Sequence, residues 1–197
     1  MHTDTLKRDW HKSVPKEDIV RKIYISFPTK AFEGKEDVGF QICDEISKFF
    51  EIPFNSVQVV GSAKTGKSYY KFTDFAVAKS DLDIAIISPE LFLKYTEICH
   101  RVTKGYSDQS MFSLNRHGKS DIYEFKKNLT QGMFRPDLMP NSPSKDDWRR
   151  FFNKLSNKHH KLFKNINAGI YSSQYFFEYK QIDALFIYMN RIGGIHL

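Results

Sequence analysis

Cysteine is scarce in this chain, with only Cys43 and Cys99 among 197 residues. Each sits in an apolar pattern of helical spacing, remote from the other and from any zinc-ligand partner. That excludes a disulfide scaffold and a Cys-rich metal knuckle, and predicts two reduced core thiols of a cytoplasmic protein. Long apolar runs are missing too. Nothing approaches the roughly 18 apolar residues of a membrane span, and the opening stretch MHTDTLKRDWHKS lacks the apolar core of a secretory leader. Neither a membrane protein nor a secreted precursor is expected. There is no internal repeat, no low-complexity tract and no linker rich in Pro, Gly or Ser. We therefore expect one domain over residues 1–197, with a polar, basic N-terminal extension.

Aromatic residues are abundant, with 18 Phe, 10 Tyr and 2 Trp in a composition that is 41% hydrophobic. This is enough bulky apolar material to offset chain entropy, which excludes a disordered chain. The 30 Lys and Arg against 23 Asp and Glu leave a net charge of +7, favouring polyanionic partners such as nucleotides, nucleic acid or phosphorylated substrates.

Pro28 and Gly34 break the chain before the first clear helical pattern, Lys35 to Phe50, where Val38, Ile42, Ile46, Phe49 and Phe50 recur at a spacing of three to four. Ser56 to Val60 predicts a strand, Gly61 to Ser80 a long loop, Leu82 to Ile87 a β-branched strand, and Glu90 to Lys104 a second helix. Gly105 to Asn128 carries no clear period. Ser144 to Asp147 has the spacing of a capping box and predicts the start of a helix. On it Trp148, Phe151, Phe152, Leu155, His159, Leu162 and Phe163 share one face, and Arg149, Arg150, Lys154, Lys158, Lys161 and Lys164 take the others. A last aromatic helix runs from about Ser173 to Asn190, closed by Gly193 and Gly194. The fold class expected is α/β or α+β: a small mixed β-sheet flanked by helices.

The chemistry concentrates in Val59 to Ser88, VVGSAKTGKSYYKFTDFAVAKSDLDIAIIS. Asp81 and Asp83 lie two apart at the entrance of a strand, so they share one face while Leu82, Ile84 and Ile86 point into the core. Two such carboxylates can grip one hard cation or two adjacent ones, bridging Mg²⁺ to substrate phosphates. Upstream, Gly61 and Ser62 follow a strand and Gly66 comes soon after, an arrangement in which backbone N–H groups can line a phosphate; Lys64 and Lys67 can add positive charge.

Strand, Gly-Ser, a further Gly, then Ser-Asp-hydrophobic-Asp opening the next strand resembles the active-site signature of the nucleotidyltransferase superfamily of DNA polymerase β type. The positions matched are Gly61, Ser62, Gly66, Ser80, Asp81 and Asp83. The resemblance covers about thirty residues, and it implies a nucleotidyltransferase-like fold. It also implies that Gly61 and Ser62 hold the triphosphate of an NTP or dNTP and that Asp81 and Asp83 bind two catalytic Mg²⁺ ions. The family usually adds a third carboxylate from a later strand; here Asp137 in MFRPDLMP is preferred, ahead of Asp121 in SDIYEF and Asp183. Arg135 beside Asp137 would reach a phosphate or form an ion pair. The activity implied is template-independent transfer of a nucleoside monophosphate to a nucleic-acid 3′ end, a nucleotide oligomer or a protein hydroxyl, with pyrophosphate released. Similarity to small bacterial antiphage-defence members of the Hailong type, which start DNA oligomers on a C-terminal tyrosine, makes Tyr188 a candidate priming acceptor and implies a role in antiviral defence, with a protein effector or toxin as a further partner.

Two rival expectations remain at this level. GSAKTGKS, Gly61 to Ser68, satisfies the P-loop pattern, which would put Lys67 on phosphates and Ser68 on Mg²⁺ in an NTPase or kinase. Against it, residues 69–74 show no helical stripe, and the acids open their strand instead of ending it. The other rival is an inactive nucleotidyltransferase-fold module, an antitoxin or scaffold, distinguished by whether a third carboxylate lies within metal reach of Asp81 and Asp83.

Overall fold

The computed structural model describes residues 1–115 and 117–193. Its centre is a four-stranded mixed sheet in the order β1–β2–β4–β3, built from β1 (Val57–Val60), β2 (Leu82–Ile87), β3 (Met133–Phe134) and β4 (Ile166–Tyr171). β1 pairs antiparallel with β2, β2 parallel with β4, and β4 antiparallel with β3. The expected mixed sheet flanked by helices is the architecture found.

Alternation along the strands divides the core. Val57, Val59, Leu82, Ile84, Ile86, Ile166 and Ile170 enter one cluster, covered by α3 (Glu36–Phe50), α5 (Pro89–Val102), α6 (Ile122–Thr130) and α7 (Pro143–Lys158). Ala85 and Tyr171 face the other way, into a cluster closed by α8 (Gln174–Ile192) and the N-terminal residues. Asp83, one strand step before Ala85, opens on this second face. Cys43 and Cys99 are buried and free, and burial pushes their thiols up to about 11 and about 12. Among the described residues no helix is long and apolar enough to cross a membrane.

Several local expectations change. The first thirty residues are no appended basic arm: α1 (His2–His11), α2 (Lys16–Val20) and a π-helical turn over Arg21–Ser26 bury Leu6, Ile19, Val20, Ile23 and Tyr24 against Phe177, Leu185 and Met189 of α8. Arg21 donates from two guanidinium nitrogens to the buried Glu178 carboxylate, at 2.8 and 3.0 Å, fastening this layer to α8. The apolar residues were few enough among charges to hide the pattern.

The helix expected to start at Ser144 starts earlier. Ser142 is the N-cap, its hydroxyl accepting from the Lys145 N–H, and Pro143 takes the first helical position, where its missing N–H costs nothing. α7 also stops at Lys158, so Leu162 and Phe163 lie beyond it, Phe163 packing edge-on to Phe32. The unassigned stretch around 105–128 contributes the start of α6, and neither the interior strand β4 nor the edge strand β3 was foreseen. Gly193 caps α8, while Gly194 lies outside the described residues.

Candidate functional site

The expected loop after β1 begins as one helical turn, α4 (Gly61–Thr65), ended by Gly66 in the left-handed region at φ +82°. Gly61 has φ +66°, and a Cβ there would stand 2.9 Å from Asp83 Oδ2. Glycine is thus required at 61 twice over, by backbone sign and by the carboxylate lodged against it. After Gly66 the chain turns back in a short ladder, Lys67 bridging Asp74, before Ser80 leads into β2.

Asp81, at the entrance of β2, and Asp83, within it, face one cavity of about 930 Å³. Asn165 Nδ2 donates to Asp81 Oδ1 at 3.0 Å, holding that carboxylate from a residue 84 positions away. Asp83 pairs in register with Asn167, so two amides run beside the two acids on the neighbouring strand. Desolvation within the cavity and the neighbouring Asp81 raise the Asp83 pKa, with Lys71 opposing them. The lining also holds Lys67, Lys71, Lys79, Arg135, Arg149, Lys164 and Lys180, seven cations against the three carboxylates Asp81, Asp83 and Asp137.

The structure brings Gly61, Ser62, Lys67, Ser80, Asp81, Asp83 and Asp137 to this cavity. Ser80 has its hydroxyl oxygen taken by the Ala76 N–H at 3.0 Å. Lys64 is a correction: it is buried, its ammonium donates to the Phe27 carbonyl at 2.6 Å, and burial pulls its pKa down to about 8, so it anchors the N-terminal layer and does not line the cavity. Gly66 is also outside the lining, serving as the helix C-cap. Lys67 is engaged by Asp74 at 2.5 Å. No helix begins at Lys67 or Ser68, so the segment lacks the strand–loop–helix order of a P-loop.

Asp137 is corrected as a third metal ligand. Arg135 clamps its carboxylate with two guanidinium nitrogens in the turn that follows β3. Asp121 and Asp183 do not line the cavity. Among the described residues no three His, Cys, Asp or Glu side chains gather closely enough to hold a metal. Tyr188 is corrected as well: it is 4% exposed, its ring stacked on Phe72 at 5.0 Å and tilted against Tyr69 at 4.7 Å. A growing oligomer attached there would have to break that packing.

Sequence reasoning missed Asn165, Asn167 and the cations Lys71, Lys79 and Lys180, while Arg149 and Lys164 belonged to the basic face it had singled out. A signal existed: Asn-Ile-Asn at 165–167 repeats the two-residue period of Asp-Leu-Asp at 81–83 ahead of an apolar stretch. The donor set is hard oxygen only, two carboxylates with amide carbonyls beside them. Asp81 and Asp83 would be the residues to hold a hard divalent cation such as Mg²⁺, which takes oxygen ligands. Compared with protein-family models, curated proteins and solved structures, the chain matches none, so its site is read from its own residues.

Proposed function

We propose that this protein is a Mg²⁺-dependent nucleotidyltransferase that moves a nucleoside monophosphate from an NTP or dNTP to a hydroxyl and releases pyrophosphate. The observation that carries the reading is the pair Asp81 and Asp83 on one strand face, in a cavity whose lining is otherwise strongly basic. The acids suit a divalent cation, and the cations lining the same cavity suit the phosphates that would accompany it. Mg²⁺ held there would withdraw charge from the phosphates and so favour attack on the α-phosphorus.

The chain's own residues would act as follows. Asp81 and Asp83 supply anionic ligands, Asn165 keeps Asp81 oriented, and Gly61 leaves room for the Asp83 carboxylate. Lys67 and Lys71, on the β1 side, lie where they would neutralise the leaving β- and γ-phosphates. In the transfer the acceptor oxygen bonds to the α-phosphorus, the bond from that phosphorus to the bridging oxygen breaks, and pyrophosphate leaves with the bonding electrons. The acceptor's proton passes to solvent, for the Asp137 carboxylate is engaged by Arg135.

A second reading has a specific observation behind it. Asn167, not an acid, is the side chain in register with Asp83, which favours a module that binds metal–nucleotide without turning it over. The test is incubation with Mg²⁺ and each labelled NTP and dNTP, with and without RNA or DNA, resolving all products. Pyrophosphate and a labelled acceptor are expected, and both are lost in Asp81→Ala/Asp83→Ala. Nucleotide binding with no turnover in any condition would select the second reading, and orthophosphate release would sink both.

A further inference from the structure

The cavity does not end at the acids. Asn167, Gly169 and Tyr171 alternate onto one face of β4, and all three line it. Asp83 pairs in register with Asn167, so Tyr171 stands four residues beyond, about 13 Å along the strand at roughly 3.3 Å per residue. Over that stretch the lining side chains are small or adaptable. Gly169 lies on the sheet and Ala184 on α8, and the terminal methyl of Met133 lies 2.9 Å from where a Gly169 Cβ would stand. The cavity therefore runs on along the sheet towards α8, away from Asp81 and Asp83.

The groups at this far end differ in kind from those near the acids. Tyr24, Tyr171 and Gln181 are buried, neutral and polar, and each lines the cavity. Burial pushes the Tyr171 hydroxyl up, with Tyr70 and the Asp83 carboxylate adding to the rise, so it stays protonated within electrostatic reach of both. Burial does the same to Tyr24. Gln181 is 6% exposed, and among the described residues Tyr171 is the one side chain its amide engages. Most of the amide's donor and acceptor capacity is unused where water scarcely reaches, a costly arrangement unless something completes it. Beside these groups Tyr70 keeps 44% of its surface exposed, an aromatic ring in the cavity wall with the Lys180 ammonium 6.0 Å over it. A phosphate would lose its hydration among neutral hydroxyls, whereas a flat, uncharged ring with a hydrogen-bonding edge finds both of its needs met.

Resting on the transferase reading above, we propose that this arm of the cavity is a base-recognition site selecting adenine, which stacks on Tyr70 and pairs through its edge with Gln181, steadied by Tyr171. A glutamine amide matches adenine, accepting from the N6 amino group and donating to N7. Guanine presents N–H donors that call for a carboxylate. The carboxylates lining the cavity are Asp81 and Asp83, at the other end, and Asp137, engaged by Arg135. Pyrimidines cover less of the Tyr70 ring. The triphosphate of the same molecule extends towards the acids, which makes ATP or dATP the donor.

The test needs neither phosphate nor metal. Adenosine, guanosine, cytidine and uridine are each titrated into the full chain in chelator by isothermal titration calorimetry. Adenosine should bind about tenfold tighter than the other three. Gln181→Leu should cost adenosine about tenfold and bring the four nucleosides within about threefold of one another. Tyr70→Ala should weaken adenosine binding about tenfold, while Tyr70→Phe stays within about twofold of the parent. Tyr179→Ala, at an exposed α8 tyrosine that does not line the cavity, should change nothing. Thermal unfolding of each variant separates a lost contact from a lost fold, and truncation at the half-exposed Tyr70 remains informative if Gln181→Leu does not fold. No adenosine binding by the parent, a preference that survives Gln181→Leu, or equal losses in Tyr70→Ala and Tyr179→Ala overturn the adenine site. Adenosine binding in the expected pattern with no transfer from ATP sinks the transferase reading and leaves the base site standing. Transfer from all four triphosphates, with the four nucleosides bound alike, does the reverse.

Discussion

Replacing Gly61 by alanine separates two roles that sequence alone cannot. At φ +66° any side chain adds backbone strain of about 1–2 kcal/mol. For a chain of this size that lowers Tm by about 2–8 °C. The new Cβ would also lie 2.9 Å from Asp83 Oδ2, so the carboxylate must retreat by about 0.5 Å to reach ordinary contact. Mg²⁺ demands near-ideal geometry, and a displaced ligand should cost about tenfold in affinity. Gly66→Ala is the control. It carries the same backbone strain at φ +82°, but its Cβ would meet Lys30 Cγ at 3.2 Å, the stem of a flexible side chain. Differential scanning calorimetry and Mn²⁺ titration on both variants should therefore show two similar losses of stability and one loss of metal affinity. If Gly61→Ala binds Mn²⁺ as tightly as the parent, the contact between Gly61 and Asp83 does not position the ligand, and the argument fails.

Two further predictions address the acids themselves. Asn165→Ala removes the donor on Asp81 Oδ1 and should weaken Mn²⁺ binding by about tenfold, with Asn165→Asp restoring most of it through added charge; an unchanged titration would show that Asp81 orients without help. Asp83 holds its proton more tightly in the folded chain than in the unfolded one, so its ionisation costs stability above the folded pKa, and the cost fades as pH falls through that value to below about 4. Asp83→Asn should accordingly be more stable than the parent at pH 7 in chelator and no more stable at about pH 3.5, as read by urea denaturation. A gain that is constant with pH would point to packing and not charge.

Much of the sheet's acidic edge was legible because it depends on local alternation. Asp81 and Asp83 declare their common face through Leu82, Ile84 and Ile86, and the structure keeps that division. What was not legible depends on partners far along the chain. Lys64 reads as a phosphate ligand beside two glycines until the Phe27 carbonyl is folded onto it, 37 residues upstream. Asp137 reads as a lone acid in an apolar stretch until the turn after β3 curls Arg135 around it. β4 escaped notice because Asn167 and Gly169 interrupt its apolar residues, and both interruptions face the cavity. Positions that spoil a strand's pattern were those the site uses.

The parallel pairing of β2 with β4 also bears on how the protein is made. The hydrogen bond from Asn165 to Asp81 spans 84 residues, and all of α5, α6, β3 and α7 lie in that interval. Closing so long a loop is entropically costly and comes late relative to local helices. A chain emerging from the ribosome carries its acids long before it carries the amides beside them. A nascent or prematurely terminated chain would accordingly present two unorganised aspartates and no cavity, and competence at this site would mark completed synthesis through β4.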